Sequence, residues 1–289
     1  MLAAHPVSAA LNIDKALMSD RQCFTNHAIG AGLRGARFDP KRYSQRASLS
    51  GYLQAVIPIS DDNPSRTTPF VTWAIIFGCV AVFVWEVSLG RHMNTAIQVL
   101  GFTPNALTSG PHRIPGTITV PGIAAIFTSM FLHGGLLHLA GNMLYLWIFG
   151  NNIEDAMGHL RYLLFYLLCG VAAALTMALI NPASHIPMIG ASGAISGILA
   201  AYMLLFPRAR VTVIVPLGII FYPLVISAIW VVGFWFVLQL ASAAFTNPGE
   251  PGVAFWAHVG GFAVGVVLTP LFKSSQYHLF GDVRRGPWG

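Results

Sequence analysis

The sequence predicts an all-α polytopic membrane protein with six transmembrane helices. Three observations carry that expectation: too few charges for a water-facing surface, uncharged windows long enough to cross a bilayer, and a one-sided distribution of Lys and Arg. Of 289 residues only 26 are charged, 9% against roughly 25% in an average soluble domain. Hydrophobic residues make up 55%, and the mean hydropathy is +0.65. Thirteen of the charges fall in residues 1–68, so the remaining 221 positions hold only thirteen. Past Thr68 the solvent for this chain is lipid.

A helix needs about 20 apolar residues to cross the hydrocarbon layer. The first such window is Phe70–Leu89. Residues 114–153 are uncharged, but Pro115, Pro121 and His133-Gly134-Gly135 interrupt them, so a single span is predicted at Leu136–Asn152. Residues 162–207 carry no Lys, Arg, Asp or Glu and are divided by the breaker cluster Asn181–Pro187, which makes two spans. Pro216, Gly218 and Pro223 mark an interfacial segment ahead of a fifth span at Leu224–Phe245, and Val253–Phe272 is the sixth.

Charge supports the count, because cytoplasmic loops collect Lys and Arg. With a cytoplasmic N-terminus, the inner segments hold 14 basic residues, among them Arg161, Arg208, Arg210, Lys273, Arg284 and Arg285. The outer segments hold Arg91 and Arg113. Both termini are therefore expected inside. Residues 1–55 read as a flexible basic N-terminal extension, 56–273 as the membrane domain and 274–289 as a short cytoplasmic tail. The start shows no basic segment followed by the apolar core of a secretory signal peptide. Cys23, Cys79 and Cys169 lie in unrelated segments and suggest packing rather than a disulfide framework or zinc site. Nucleic acid is excluded as a partner, since the net charge of +6 follows membrane topology and lacks interleaved aromatics.

Polar groups inside a span cost a few kcal/mol, roughly 2.5–3.5 for a charge at the centre, so those that persist usually face the bundle and serve a purpose. The run Gly190-Ala191-Ser192-Gly193-Ala194-Ile195-Ser196-Gly197 opens the fourth helix. It puts Ser192 at a helix N-terminus, where free N–H groups favour a developing oxyanion. Gly193 and Gly197 also form a small-xxx-small pair, so the segment reads equally as helix packing. His258 lies near the outer end of the sixth helix, on the face of Gly261 and Gly265. A glycine face there allows approach to the fourth helix within hydrogen-bond reach of Ser192, although such a histidine can also be purely structural.

On the second helix His138 and Asn142 stand four apart on one face, again at the outer end. Donors there can stabilise an oxyanion beside Ser192, and Asn142 can alternatively bond another helix. His133 does not share that face and is assigned a structural or gating role. Glu86, Glu154 and Asp155 belong to other helix ends, so no carboxylate is available to His258. If Ser192 is a nucleophile, the site is a Ser–His dyad. No metal and no cofactor are expected.

In these segments the chain resembles the rhomboid intramembrane serine proteases. The resemblance runs from about Val56 to Lys273 and rests on His133 to Asn142, Gly-Ala-Ser-Gly at 190–193 and Ala-His-Val-Gly-Gly at 257–261. It implies a six-helix rhomboid-like bundle with Ser192 as nucleophile and His258 as general base. His138, Asn142 and the Ser192 N–H would form the oxyanion hole, and Gly190 would be the glycine preceding the nucleophile. It further implies lipid and single-span membrane-protein substrates as partners, in a bacterial inner membrane. Residues 57–64 look like the usual beginning of bacterial members. The Trp-Arg pair of the first outer loop is missing, and Ser196 stands where some members carry an aromatic against the catalytic histidine.

Two other functions remain in view. One is a catalytically inactive rhomboid-like scaffold for binding or trafficking membrane proteins. The other is a transporter or metal channel using His92, His112, His133, His138 and His185, which no His-Glu-x-x-His or carboxylate cluster supports.

Overall fold

A computed structural model describes residues 57–110, 114–217, 220–246 and 253–281, all within one unit, Gly51–Gly289. The N-terminal extension, His112, Arg113, Glu250, Arg284 and Arg285 lie outside the described residues. In chain order the elements are β1 (Ile57–Asp61), α1 (Phe70–Ser88), α2 (Met93–Leu100), α3 (Gly122–Ser129), α4 (Leu136–Met157), α5 (His159–Ile180), α6 (Ser192–Leu205), β2 (Arg210–Leu217), β3 (Ile220–Ser227), α7 (Ala228–Phe245) and α8 (Phe255–Phe272). The described structure is thus mostly helical. Among the described residues four helices, α1, α5, α7 and α8, are long and apolar enough to cross a membrane. Their outward faces are apolar too: Phe77, Leu179, Phe245 and Leu271 are each more than 70% exposed. That outer surface suits lipid, and the protein is a multi-pass membrane protein.

The expectation of an all-α chain needs correction. β1, β2 and β3 form an antiparallel sheet in that order, with β2 pairing β3 in continuous register from Arg210↔Ser227 to Leu217↔Ile220. The run Val211-Thr212-Val213-Ile214-Val215 is β-branched throughout, and Val211 and Val213 bury alternate positions, the period of a half-buried strand. Pro58 falls where the β1–β2 register shifts, as expected of a residue with no N–H to give a ladder. The fifth predicted helix accordingly begins at Ala228 rather than Leu224. The second continues five residues past Asn152, to Met157.

Hydrogen bonds gather alternate helix ends at one side of the bundle. Proline before α1 supplies no side-chain cap. Glu154, from the far end of α4, accepts instead the Val71 N–H (2.9 Å), the Thr72 N–H (2.8 Å) and the Thr72 hydroxyl (2.7 Å). The two N–H groups are orphan donors of a first helical turn. His159 at the start of α5 completes the set, with Nδ1 2.6 Å from Glu154. Asp155 binds Thr67 and Tyr277, Ser274 N–H donates to Ala156, and Phe280 N–H donates to Leu204 at the end of α6. Residues 274–281, placed in the tail by the sequence, therefore pack onto α4 and α6. Asp62 joins Arg210 at the foot of the sheet, and Asp61 accepts the Tyr202 hydroxyl. Arg161, Arg208, Arg210 and Lys273 thus belong to one end of the bundle.

Candidate active site

At the opposite end, α6 begins after a loop tied down by neighbouring backbone. Phe102 and Met188 exchange both N–H···O bonds (3.1 and 2.7 Å), and Gly190 N–H donates to Ser129 O at 2.8 Å. Gly190 has φ +113°, a conformation that L side chains rarely adopt. A Cβ there would also strike His138 Nε2 at 2.7 Å. Only glycine lets the chain turn past His138 and start a helix at Ser192.

The two small faces predicted for α6 and α8 meet. Cβ atoms built on Gly261 and Gly265 would lie 2.0 Å from Gly193 O and 2.6 Å from Gly197 Cα. That approach brings His258 Nε2 to 2.8 Å from Ser192 Oγ, across 66 residues of sequence. Both glycine pairs therefore act in packing, and the same packing sets the Ser–His distance. Ser196 turns away, donating to Ser192 O at 2.7 Å.

His138 and Asn142 face the same cavity as Ser192 and His258, a space of about 580 Å³ between α4, α6 and α7. His138 Nδ1 accepts Gly134 N–H at 3.4 Å, which leaves Nε2 as the protonated, donating nitrogen. Asn142 is buried, and among the described residues its Nδ2 has no hydrogen-bond partner. A buried amide donor held without an acceptor is ready for one that arrives with a substrate. His133 lies outside this group. It is fully buried behind His138, ring centroids 5.1 Å apart, with its N–H bonded to Glu86 at 3.1 Å. Glu86 thus closes the C-terminal end of α1 onto the His133 loop and does not reach His258.

Three neighbours of His258 went unread in the sequence. Gln239 Oε1 sits 2.7 Å from Nδ1, Trp235 covers the ring at a centroid distance of 5.9 Å, and Phe255 meets it edge-on at 6.4 Å. A signal for Gln239 existed. An amide amid Phe-Val-Leu and Leu-Ala on an apolar helix is costly unless it has a partner. His92 contacts Arg91, and His185 lies in the loop before α6. Among the described residues no group of three or more His, Cys, Asp or Glu side chains is arranged to hold a metal.

Comparison with known proteins places these features in a family. Residues 122–275, more than half of the chain, match the Rhomboid domain. The chain is 30% identical over 240 residues to RHOMBOID-like protein 1 of Arabidopsis thaliana, an alignment covering 76% of this chain and 58% of that protein. It is 40% identical over 78 residues to Rhomboid protease GluP of Bacillus subtilis (27% of this chain, 15% of that protein). It is 34% identical over 120 residues to Inactive rhomboid protein 1 of Drosophila melanogaster (42% and 8%). The chain therefore spans less than two thirds of these relatives' own length. Their range, from a bacterium to a plant and an insect, does not select a bacterial inner membrane. On the domain match and the shared stretches of sequence, the chain belongs to the rhomboid family.

Proposed function

We propose that the protein is an intramembrane serine endopeptidase, with Ser192 as nucleophile and His258 as general base and acid. The 2.8 Å contact between Oγ and Nε2 carries this reading. Ser192 Oγ attacks the scissile carbonyl carbon while its proton passes to His258 Nε2, and the carbonyl electron pair moves onto oxygen. That oxyanion is held by His138 Nε2–H, Asn142 Nδ2–H and the Ser192 N–H, each donor of this kind being worth about 2.7–4 kcal/mol. Collapse breaks the C–N bond, and His258 returns its proton to the leaving amine. Water then gives a proton to His258 as it attacks the acyl ester, and breaking of the C–Oγ bond frees Ser192, whose Oγ takes that proton back from His258 Nε2.

The same reading extends to topology and substrate. α4 and α6 join the four apolar helices as spans five and six. At 14 residues α6 is about 21 Å long, so the loop before it fills the remaining depth and sets Ser192 below the outer boundary. The basic end faces the cytoplasm with both termini. Substrates are transmembrane or juxtamembrane segments that reach the cavity between α4 and α7 from the lipid. A segment bearing Gly or Pro near the cut unwinds more readily to expose its carbonyl.

A non-catalytic scaffold is the second reading, favoured by the similarity to a relative named inactive. Purified protein incubated with a single-span test substrate and a fluorophosphonate probe separates the two. Cleavage and labelling that disappear in Ser192→Ala, with cleavage lost in His258→Ala, are expected. A wild type that neither cuts nor labels leaves the scaffold.

A further inference from the structure

His258 carries two hydrogen bonds, and only one has a place in the mechanism above. Nε2 faces Ser192 Oγ at 2.8 Å, and Nδ1 faces Gln239 Oε1 at 2.7 Å. Gln239 is 4% exposed and His258 9%, so water does not compete strongly for this second bond. A neutral imidazole has one N–H, and its position decides which nitrogen can act as a base. A carbonyl oxygen at Nδ1 requires the hydrogen there and leaves the Nε2 lone pair directed at the Ser192 hydroxyl. The opposite tautomer would put N–H against O–H and could not accept the serine proton.

We propose that Gln239 is the positioning residue of this site, its side-chain carbonyl holding His258 in the Nδ1–H tautomer and fixing the ring plane toward Ser192. The proposal rests on the hydrolase reading for its kinetic consequence and on geometry alone for the tautomer. In soluble serine hydrolases a carboxylate does this and also stabilises the imidazolium. An amide supplies the acceptor without placing a charge among apolar helices, where ionised groups are expensive. α7 adds a second restraint: Trp235, one turn before Gln239 on the same face, covers the imidazole at 5.9 Å. The two compensate for Ser196, which reaches no aromatic contact with His258.

Other titratable groups around His258 come from three elements. α4 brings His138 and Tyr145 into the cavity, α6 brings Ser192, and α5 packs Cys169 against Gly197 and Gly261. Among the described residues none of these hydrogen-bonds to Nδ1, so a change at position 239 is read through His258 itself.

The test uses the full chain in detergent with 15N-labelled histidine, His258 being assigned by its loss in His258→Ala. Long-range 1H–15N spectra are expected to show a pyrrole-type Nδ1 and a pyridine-type Nε2 in the wild type. That pattern should persist in Gln239→Glu, which keeps an acceptor, and collapse toward mixed tautomers in Gln239→Leu. In substrate cleavage, Gln239→Leu is expected to lose at least about tenfold in kcat with KM unchanged. Gln239→Glu is expected to recover most of that loss. It should also move the acid limb of the pH–kcat/KM profile to higher pH, because a carboxylate beside Nδ1 favours the protonated ring. A merely structural role would lower the folded fraction and leave both the nitrogen pattern and the limb in place. A protonated Nε2 in the wild type, a wild-type pattern surviving in Gln239→Leu, or an unmoved limb in Gln239→Glu overturns the assignment. Should the wild type neither cleave nor label, the hydrolase reading falls while the spectra still decide the tautomer.

Discussion

Gly261 lies so close to Gly193 that a Cβ on it would stand 2.0 Å from the Gly193 carbonyl oxygen. The contact is backbone against backbone, so no side-chain rotamer can relieve it. His258 precedes Gly261 by one turn of α8, and Ser192 adjoins Gly193. The helix separation and the Ser–His distance are therefore one geometric quantity.

Gly261→Ala must widen the α6–α8 interface and draw His258 Nε2 away from Ser192 Oγ. A displacement near 1 Å at a reacting pair costs on the order of 100-fold in rate. Ser192 labelling by a fluorophosphonate should slow by about that factor, with a lower thermal midpoint. Gly233→Ala is the control, since a Cβ at Gly233 meets nothing within 4 Å. Its midpoint should stay level or rise, because alanine is the better helix former. Equal effects from the two substitutions would dissociate the glycine contact from the site.

Asn142 offers a prediction in which activity and stability part company. Its buried Nδ2 has no partner among the described residues, so the folded state gains little from that donor. Asn142→Ala should lower kcat by about 100- to 1,000-fold, the usual loss for one oxyanion donor. Its thermal midpoint should remain within a few degrees of the wild type. A large fall in midpoint with kcat preserved would make Asn142 an interhelical bond and nothing more.

Much of this site was legible before any coordinates. Ser192 at a helix start, the glycine faces of α6 and α8, and the four-residue spacing of His138 and Asn142 are local patterns, and local patterns survive in sequence. Gln239 is not legible, because a carboxylate is the usual partner of such a histidine and here an amide takes its place. The sheet is hidden because β-branched residues beside Pro216 and Gly218 suit an interfacial segment equally well in so apolar a chain. Its first strand, Ile57–Asp61, pairs with residues 150 to 157 positions away. Glu154 was placed correctly at a helix end, but its role as the cap of α1 depends on a fold that joins residues 82 and 83 positions apart.

That cap defines a stability site remote from the chemistry. Glu154→Ala leaves the Val71 and Thr72 N–H groups without an acceptor and removes hydrogen bonds to a charged group, worth about 1.5–3 kcal/mol each. The variant should unfold several degrees lower in detergent, while fluorophosphonate labelling per folded molecule stays at the wild-type rate. Labelling lost in step with Gly261→Ala would instead couple the two ends of the bundle.

Asp61 ties stability to pH. Burial raises its carboxyl from 3.8 to about 6, with the neighbouring charge of Asp62 adding to the rise and the Tyr202 hydroxyl opposing it. The folded protein therefore holds this proton up to about pH 6, whereas the unfolded chain releases it near 3.8. Between those values the folded state binds more protons, so stability falls as pH rises. The contribution is complete below about pH 4 and lost above about pH 6, a swing of about 3 kcal/mol at most. Asp61→Asn keeps a carbonyl for Tyr202 and removes the titration. Midpoints measured from pH 4 to 7.5 should show the variant gaining on the wild type across that window, levelling off above it. Since every other carboxylate is common to both proteins, the difference between the two curves isolates Asp61. A difference that stays constant with pH would mean that Asp61 titrates alike in the folded and unfolded chains, and that Tyr202 offsets the whole effect of burial.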